Sequence, residues 1–531
     1  MPIPSKARAT LIALAYAFVV YHCFFTGLSA FGLVGPDEPR YASIAREMAR
    51  SGDWVTPRLN GEPWFEKPPL YYWSAATGFL IFKNPEVAAR APSGVFALLA
   101  VLGVFVLARR FYSPAVAATV AWMLPAAAGM TGFARAAATD MPFAACLALT
   151  MVGAAFLLLD EQPVHRLAWT AAFGAALGLA VLAKGPAAIL LTGGSVALWA
   201  IAGGNIRRSF RLFHPIALAA FFVVALPWYL LCALRNPEFL RIFFLEHNVE
   251  RFLTNRFQHQ QPFWFFVPVL LLAVFPWTLL LVPAASDAWR ALRSSEWRSS
   301  PAVFFAAWVV FPFVFFSASQ SKLPGYILPA VAPLVLLIAL AWEKPESAVR
   351  SRNAWPALAL LLAGAFSLAA VVFSTRSTGL SGAAPLQRME LPLMALATAL
   401  IVGGLAVACV SYLRRALLGV AVASFVLAFA AGIAANHLLR AADPEISSRA
   451  VGILAREHAG SANLVTYQLS RAWHYGLEFY LDRPLPTWTP QTPRPVWLVT
   501  TLAGAYELRM HGQKLDEVPG VPGRAQLYRM E

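Results

Sequence analysis

Charge is scarce in this chain. Asp, Glu, Lys and Arg make up 13% of its 531 residues, about half of the roughly 25% carried by an ordinary soluble domain. So little polar surface cannot cover a water-facing exterior, which excludes a soluble enzyme and a disordered chain alike. Cysteine is scarcer still. Cys23, Cys146, Cys232 and Cys409 all lie in apolar stretches, with no metal-ligand spacing and no disulfide framework. Acidic residues are few as well, 27 against 42 Lys and Arg, for a net charge of +15. No basic soluble module accompanies that excess, so nucleic acid is excluded as a partner. Internal repeats and low-complexity tracts are absent too.

What the chain has instead is long apolar runs. Residues of apolar type amount to 59%, and stretches of about 17–25 such residues read as membrane-spanning helices. They lie near 10–33, 91–108, 114–133, 141–159, 167–183, 186–202, 214–234, 263–283, 302–318, 325–342, 355–374, 391–412 and 416–436, thirteen in all. The first is too long for a signal-peptide core and no small-residue cleavage site follows it, so it is expected to stay as an anchor.

Basic residues in short loops set the orientation. Lys6 and Arg8, Arg109–Arg110, Arg166, Arg207–Arg208–Arg211, Arg290–Arg293–Arg298, Lys344–Arg350–Arg352 and Arg414–Arg415 all fall on one side of a thirteen-span count. The opposite short loops carry only Arg135, Lys184, Lys322, Arg376 and Arg388. The basic side is therefore expected to be cytoplasmic. A membrane-embedded part, 1–439, then has two long outer loops, 34–90 and 235–262. A small α/β domain, 440–531, follows them on the outer, periplasmic side of a bacterial inner membrane. In that tail 444–458 has helical spacing, with Ile446, Ala450, Ile453 and Leu454 on one face. Asn463–Leu469, Pro495–Thr501 and Ala525–Met530 read as strands, and 470–481 as a second helix.

The first outer loop carries the densest chemistry. It opens Gly35-Pro36-Asp37-Glu38-Pro39-Arg40-Tyr41-Ala42. Pro39 suits a first helical turn. Tyr41, Ile44, Ala45 and Met48 repeat at helical spacing, and Ser51-Gly52 ends the run. The pattern predicts an amphipathic helix on the outer membrane surface. Asp37 has two readings, an N-cap of that helix or a carboxylate aimed into a cavity. Further on, Trp64-Phe65-Glu66-Lys67-Pro68-Pro69 places an acid and a base before two prolines that hold the backbone extended. The surrounding tryptophans and tyrosines suit a bilayer interface. Asp140, Lys184 and Lys322 fall near spanning-helix ends, where a charge needs a partner or a water-filled cavity.

These residues carry a resemblance. Pro-Asp-Glu-x-Arg-Tyr-Ala, Ser-Gly-Asp-Trp, Phe-Glu-Lys-Pro, Thr139-Asp140-Met141-Pro142 and Lys184-Gly185-Pro186 stand in order. So do Glu246–Phe252, Gln258–Trp264 and Ser321-Lys322-Leu323-Pro324-Gly325-Tyr326. The set resembles the polytopic GT-C glycosyltransferases that use lipid-phosphate sugars, over residues 35 to about 330. Nearest among them is the bacterial lipid A 4-amino-4-deoxy-L-arabinose transferase family, with protein O-mannosyltransferases as wider relatives.

The resemblance implies a polytopic helical fold and the roles of single residues. Lys67 would hold the phosphate of a polyprenyl-phosphate sugar donor, with Arg251 and Lys184 in support. Asp37 and Asp140 would be the catalytic carboxylates, positioning the acceptor or stabilising positive charge on the sugar. Tyr41, Tyr326, Lys322 and Arg40 would line the substrate cavity. Glu66 and His247 would ligate an optional divalent metal, zinc by the family's pattern of metal ligation, although two protein ligands are fewer than a structural zinc site uses. His259 reads as satisfying a polar loop. A hydroxyl acceptor needs a general base, for which Asp37 is placed, whereas a phosphate acceptor is already ionised. Direct displacement at the anomeric carbon inverts configuration in both cases. Lipid A or a related envelope glycolipid is the expected acceptor, with a protein hydroxyl or a growing saccharide as the alternatives. A transporter would need paired interrupted helices at the midplane, which the sequence lacks.

Overall fold

The computed structural model describes the chain except residues 1–4, 162–163, 244–259, 295–296, 343–348, 377–388, 412–415, 461 and 521–522. All thirteen apolar stretches contain helix among the described residues. Among the described residues, nine helices are long and apolar enough to cross a membrane, and two bent pairs raise the number to eleven. Two apolar helices of 17 residues, Ala187–Gly203 and Ala302–Ala318, pack on each other. The chain is thus a multi-pass helical membrane protein.

The first helix, α1 (Ser5–Phe24), stops nine residues before the apolar run does. Gly27 explains the early stop: it takes φ +71 and a Cβ there would strike Ala435 at 2.6 Å. The next elements are α2 (Asp37–Ser51), the hairpin β1 (Arg58–Leu59) and β2 (Glu62–Pro63), α3 (Leu70–Ile81) and α4 (Pro85–Phe111). They are followed by the bent pair α5 (Pro114–Ala126) and α6 (Ala128–Ala134), then α7 (Asp140–Leu158) and α8 (Arg166–Lys184). The bend between α5 and α6 frees a backbone donor, which an apolar medium penalises. Ala128 N meets that need by donating to Phe275 O at 3.0 Å, at the bend of the second broken pair.

The tail holds a four-stranded sheet in the order β3-β4-β6-β5, from β3 (Leu464–Tyr467), β4 (Val496–Thr501), β5 (Leu515–Glu517) and β6 (Ala525–Met530). β3 and β4 are parallel, and the helix Arg471–Leu481 makes the crossover that parallel pairing requires. Two expectations need correction, and two elements have none. The helix expected over 444–458 is two helices, broken at Ser447–Ser448. Its buried face is Val451, Ala455 and Ala459, while Ile446 and Ile453 are exposed, because the break resets the helical register. β5 and the helix Leu502–Met510 carry no clear pattern in the sequence, β5 being a short edge strand with Asp516 and Glu517 exposed.

A buried ion pair fixes the start of α2. Arg90 of α4 is fully buried and contacts Glu38 at 2.6 Å through Nη2 and 3.2 Å through Nε. Arg90 also donates to the carbonyls of Leu28, Phe31 and Gly32. Glu38 accepts in turn from Val34 N and Ala137 N, each at 2.8 Å. Every strong hydrogen-bonding direction of both charges is thereby used, which a buried pair needs to offset its desolvation.

Candidate active site

Asp37 is the first residue of α2, and the N-cap is Pro36, which makes no side-chain cap bond. The cap reading of Asp37 is therefore incorrect. Its carboxylate accepts instead from Arg40 Nη2 at 2.6 Å, one turn along the helix. Tyr41, Ile44, Ala45 and Met48 are buried as the periodicity requires. Their cover is protein, though, not membrane: α3 and the tail helix Arg471–Leu481 pack on α2.

The β1–β2 hairpin brings the second half of the site back onto α2. Asn60 and Gly61 form its two-residue turn with φ 54 and 85, the pair of left-handed conformations that Asn-Gly supplies at low cost. Gly61 N donates to Glu47 of α2 at 3.2 Å, and Asn60 Nδ2 to Glu478 of the tail at 3.3 Å. Pro68 and Pro69 do not delay the next helix, because Pro69 is itself the N-cap and α3 starts at Leu70. Glu66 returns to 3.0 Å from Arg40 Nη2, and Lys67 Nζ lies 3.7 Å from Glu66 Oε1. Arg40, buried, thus bridges Asp37 and Glu66.

A second ion pair stands beside this one. Asp140 opens α7 and Lys184 closes α8, and Lys184 Nζ donates to Asp140 Oδ1 at 2.6 Å. The same ammonium lies 4.6 Å from the Tyr326 ring centroid. The two pairs act on each other. Burial pushes the Asp37 carboxyl above the usual aspartate range; Arg40 opposes that rise, Glu66 adds to it, Lys67 opposes it and Asp140 adds to it. Burial first, then the Glu66 charge, holds the Tyr41 and Tyr72 hydroxyls well above their ordinary value. Both therefore stay protonated and can act only as neutral hydrogen-bonding groups.

Three buried donors around Arg40 have no hydrogen-bond partner among the described residues: Arg40 Nε, Trp64 Nε1 and Tyr72 Oη. A protein rarely leaves such groups unmet, and a ligand rich in oxygen acceptors would meet them. The Arg40 guanidinium also lies 5.1 Å from the Tyr41 ring, 5.5 Å from Trp64 and 5.7 Å from Tyr475. Tyr475, which the pattern around Trp473 and Phe479 assigns to the core of the tail, therefore also borders the site. His474 does stay structural, bonded to Thr466 and 3.4 Å from Glu478.

Most of the expected residues come together. Asp37, Arg40, Tyr41, Glu66 and Lys67 form one group, and Asp140, Lys184 and Tyr326 the adjoining one. Lys322 is buried, with Nζ donating to Ser319 O at 2.5 Å. His247, Arg251 and His259 lie outside the described residues. Glu66 is a poor metal ligand as it stands, since its two oxygens face Arg40 and Lys67. No set of three metal-ligating side chains occurs among the described residues.

Comparison with known proteins identifies the fold and the family. The family model described as dolichyl-phosphate-mannose-protein mannosyltransferase matches residues 9–243. An undecaprenyl phosphate-α-4-amino-4-deoxy-L-arabinose arabinosyl transferase of Pseudomonas aeruginosa is 35% identical over 335 residues, 62% of this chain and 59% of that protein. The chain thus spans well under two thirds of that relative's length. The protein of the same name from Edwardsiella ictaluri is 32% identical over 383 residues, 71% of this chain and 67% of its own. The crystal structure of ArnT from Cupriavidus metallidurans bound to undecaprenyl phosphate superposes with a TM-score of 0.81 over 98% of both chains, at 24% identity. Fold and site together define a multi-pass membrane protein of glycosyltransferase architecture. Within that class, the chain belongs to the family of undecaprenyl phosphate-4-amino-4-deoxy-L-arabinose arabinosyl transferases.

Proposed function

We propose that the chain is an inverting glycosyltransferase. It moves a sugar from a polyprenyl-phosphate donor to lipid A or a related envelope glycolipid, at the periplasmic face of the inner membrane. The observation that carries this reading is the balance of charge at the site. Arg40, Lys67 and Lys184 stand against Asp37, Glu66 and Asp140, three cations against three carboxylates. Breaking the bond to the anomeric carbon returns a full negative charge to the departing phosphate, and preorganised cations supply the largest share of such catalysis. Lys67 is the cation assigned to that phosphate, with Arg251 adding the charge that the balanced set lacks. Lys184 is committed to Asp140, so its part is to hold that carboxylate in place.

Asp37 and Asp140 are the carboxylates assigned to the sugar and the acceptor. With a phosphate acceptor they orient it and offset positive charge at the anomeric carbon, and no proton has to be removed. The unmet donors Arg40 Nε, Trp64 Nε1 and Tyr72 Oη suit the oxygens of the sugar. A divalent metal at Glu66 and His247 is an optional addition: turnover is expected to survive chelation, since Arg40 and Lys67 already neutralise Glu66.

The match to the mannosyltransferase model favours a second reading, transfer to a protein hydroxyl with Asp37 as base. Mass spectrometry of lipid A and of envelope glycoproteins, with and without the gene, separates the two. A lost sugar on lipid A supports the first; a change confined to glycoproteins overturns it.

A further inference from the structure

A cavity of about 510 Å³ opens at the far end of α2. Arg40 faces the site, while Arg46 and Arg50 line this cavity, roughly 9–15 Å further along the helix at 1.5 Å per residue. Lys83 of the turn between α3 and α4 and Arg456 of the helix Arg449–Ala459 complete a set of four cations, against Asp482 as the single acid. Arg46 and Arg50 share Asp482, at 2.9 and 2.6 Å, so that carboxylate leaves a net surplus of positive charge. Lys83 makes no ion pair among the described residues. The remaining wall is apolar, and Leu80 and Ile453 on it are exposed. Phe82 on the same wall and Ile81 next to it are exposed as well.

A cationic pocket with an apolar rim fits one ligand chemistry, an anionic headgroup attached to hydrocarbon chains. Two helices connect this pocket to the site. α2 carries Arg40 near one end and Arg50 near the other, and the tail helix carries Tyr475 and, one turn further on, Phe479. We propose that the cavity is the docking subsite of the glycolipid acceptor. It holds one phosphate-bearing part of that lipid, with the acyl chains lying along Leu80, Ile81 and Phe82, so that another part of the headgroup reaches Asp37. This rests on the transferase reading above.

The test uses the purified full-length protein with undecaprenyl-phosphate-linked sugar as donor and lipid A as acceptor. Lys83→Ala combined with Arg50→Ala is expected to raise KM for lipid A about tenfold, in line with loss of two charge–phosphate contacts. The value of kcat and the affinity for undecaprenyl phosphate stay as in the wild type, and Lys83→Arg alone, which keeps both charges, leaves KM at the wild-type value. Lipid A adducts counted by native mass spectrometry, with no donor present, should fall in the same variant. Unchanged KM and unchanged adducts would overturn the proposal. Recovery of the variant on adding phosphatidylglycerol would also overturn it, because the occupant would then be a membrane phospholipid. Wild-type protein that binds lipid A here without transferring sugar to it defeats the transferase reading and leaves the subsite standing.

Discussion

Gly325 lies directly against the Asp140 carboxylate: a Cβ at position 325 would stand 2.6 Å from both Asp140 Cγ and Oδ1. The glycine of the Lys-Leu-Pro-Gly-Tyr run is therefore there for close approach, not for a turn. Gly325→Ala is expected to push Asp140 away from Lys184 and lower kcat at least about tenfold. Overpacking of this kind costs about 1–3 kcal/mol. Gly132→Ala, where nothing lies within 4 Å, serves as the control. Equal kcat in the two variants would disprove the link.

Asp37→Asn should abolish transfer without loss of fold. Asn keeps an acceptor for Arg40, and no cap is lost because Pro36 is the N-cap. A raised carboxyl pKa means the folded protein binds the proton more tightly than the unfolded chain does. This group's contribution to stability therefore grows as pH falls into the elevated range, and is unfavourable when Asp37 is ionised. Asn removes that charge, so Tm at neutral pH should be equal or higher. A variant that is both inactive and unstable would count against this account.

The same shift sets the pH profile. If ionised Asp37 is needed, the acid limb of kcat/KM lies above the usual aspartate range. Glu66→Gln removes a charge that raises the Asp37 pKa, so the limb should move to lower pH. Movement in the other direction would show that Glu66 acts through Arg40 instead.

Lys67→Ala is expected to weaken binding of undecaprenyl phosphate itself, by about tenfold or more, as loss of a charged hydrogen bond of about 1.5–3 kcal/mol implies. Titration with the sugar-free lipid reads this directly. An unchanged affinity would move the phosphate contact elsewhere.

Glu38→Gln should be worse for folding than any change at the site. It leaves Arg90, fully buried, without its counter-charge, and breaking a buried pair costs about 3–5 kcal/mol. Yield of folded protein and Tm report it, and double replacement by apolar residues should recover part of the loss.

Much of this was legible in the sequence. Apolar length identified the thirteen helical stretches, and helical spacing identified the buried side of α2, since Tyr41, Ile44, Ala45 and Met48 follow one stripe. What spacing could not say was which surface covers that stripe. Lipid and a distant helix of the same chain ask for the same residues, and the tail helix provides the cover. Glu38 was in plain view beside Asp37, yet one peptide step on a helix turns a side chain by about 100°. Asp37 meets Arg40 while Glu38 meets Arg90. Asn60-Gly61 was a readable hairpin signal, and it is what returns Glu66 and Lys67 to Arg40. Tyr475 had no local sign at all, because its part depends on a contact across most of the chain.

That contact has a consequence for biosynthesis. The ribosome delivers Asp37, Arg40 and Lys67 early, but the ring that closes over Arg40 arrives only with the strand-helix unit around Tyr475. The hydrogen bonds from Arg46 to Phe479 O and from Leu33 N to Tyr480 Oη wait for the same segment. A nascent chain thus carries Asp37, Arg40, Glu66 and Lys67 with one wall missing. A chain that stops before Tyr475 therefore lacks the ring beside Arg40 and both of those hydrogen bonds.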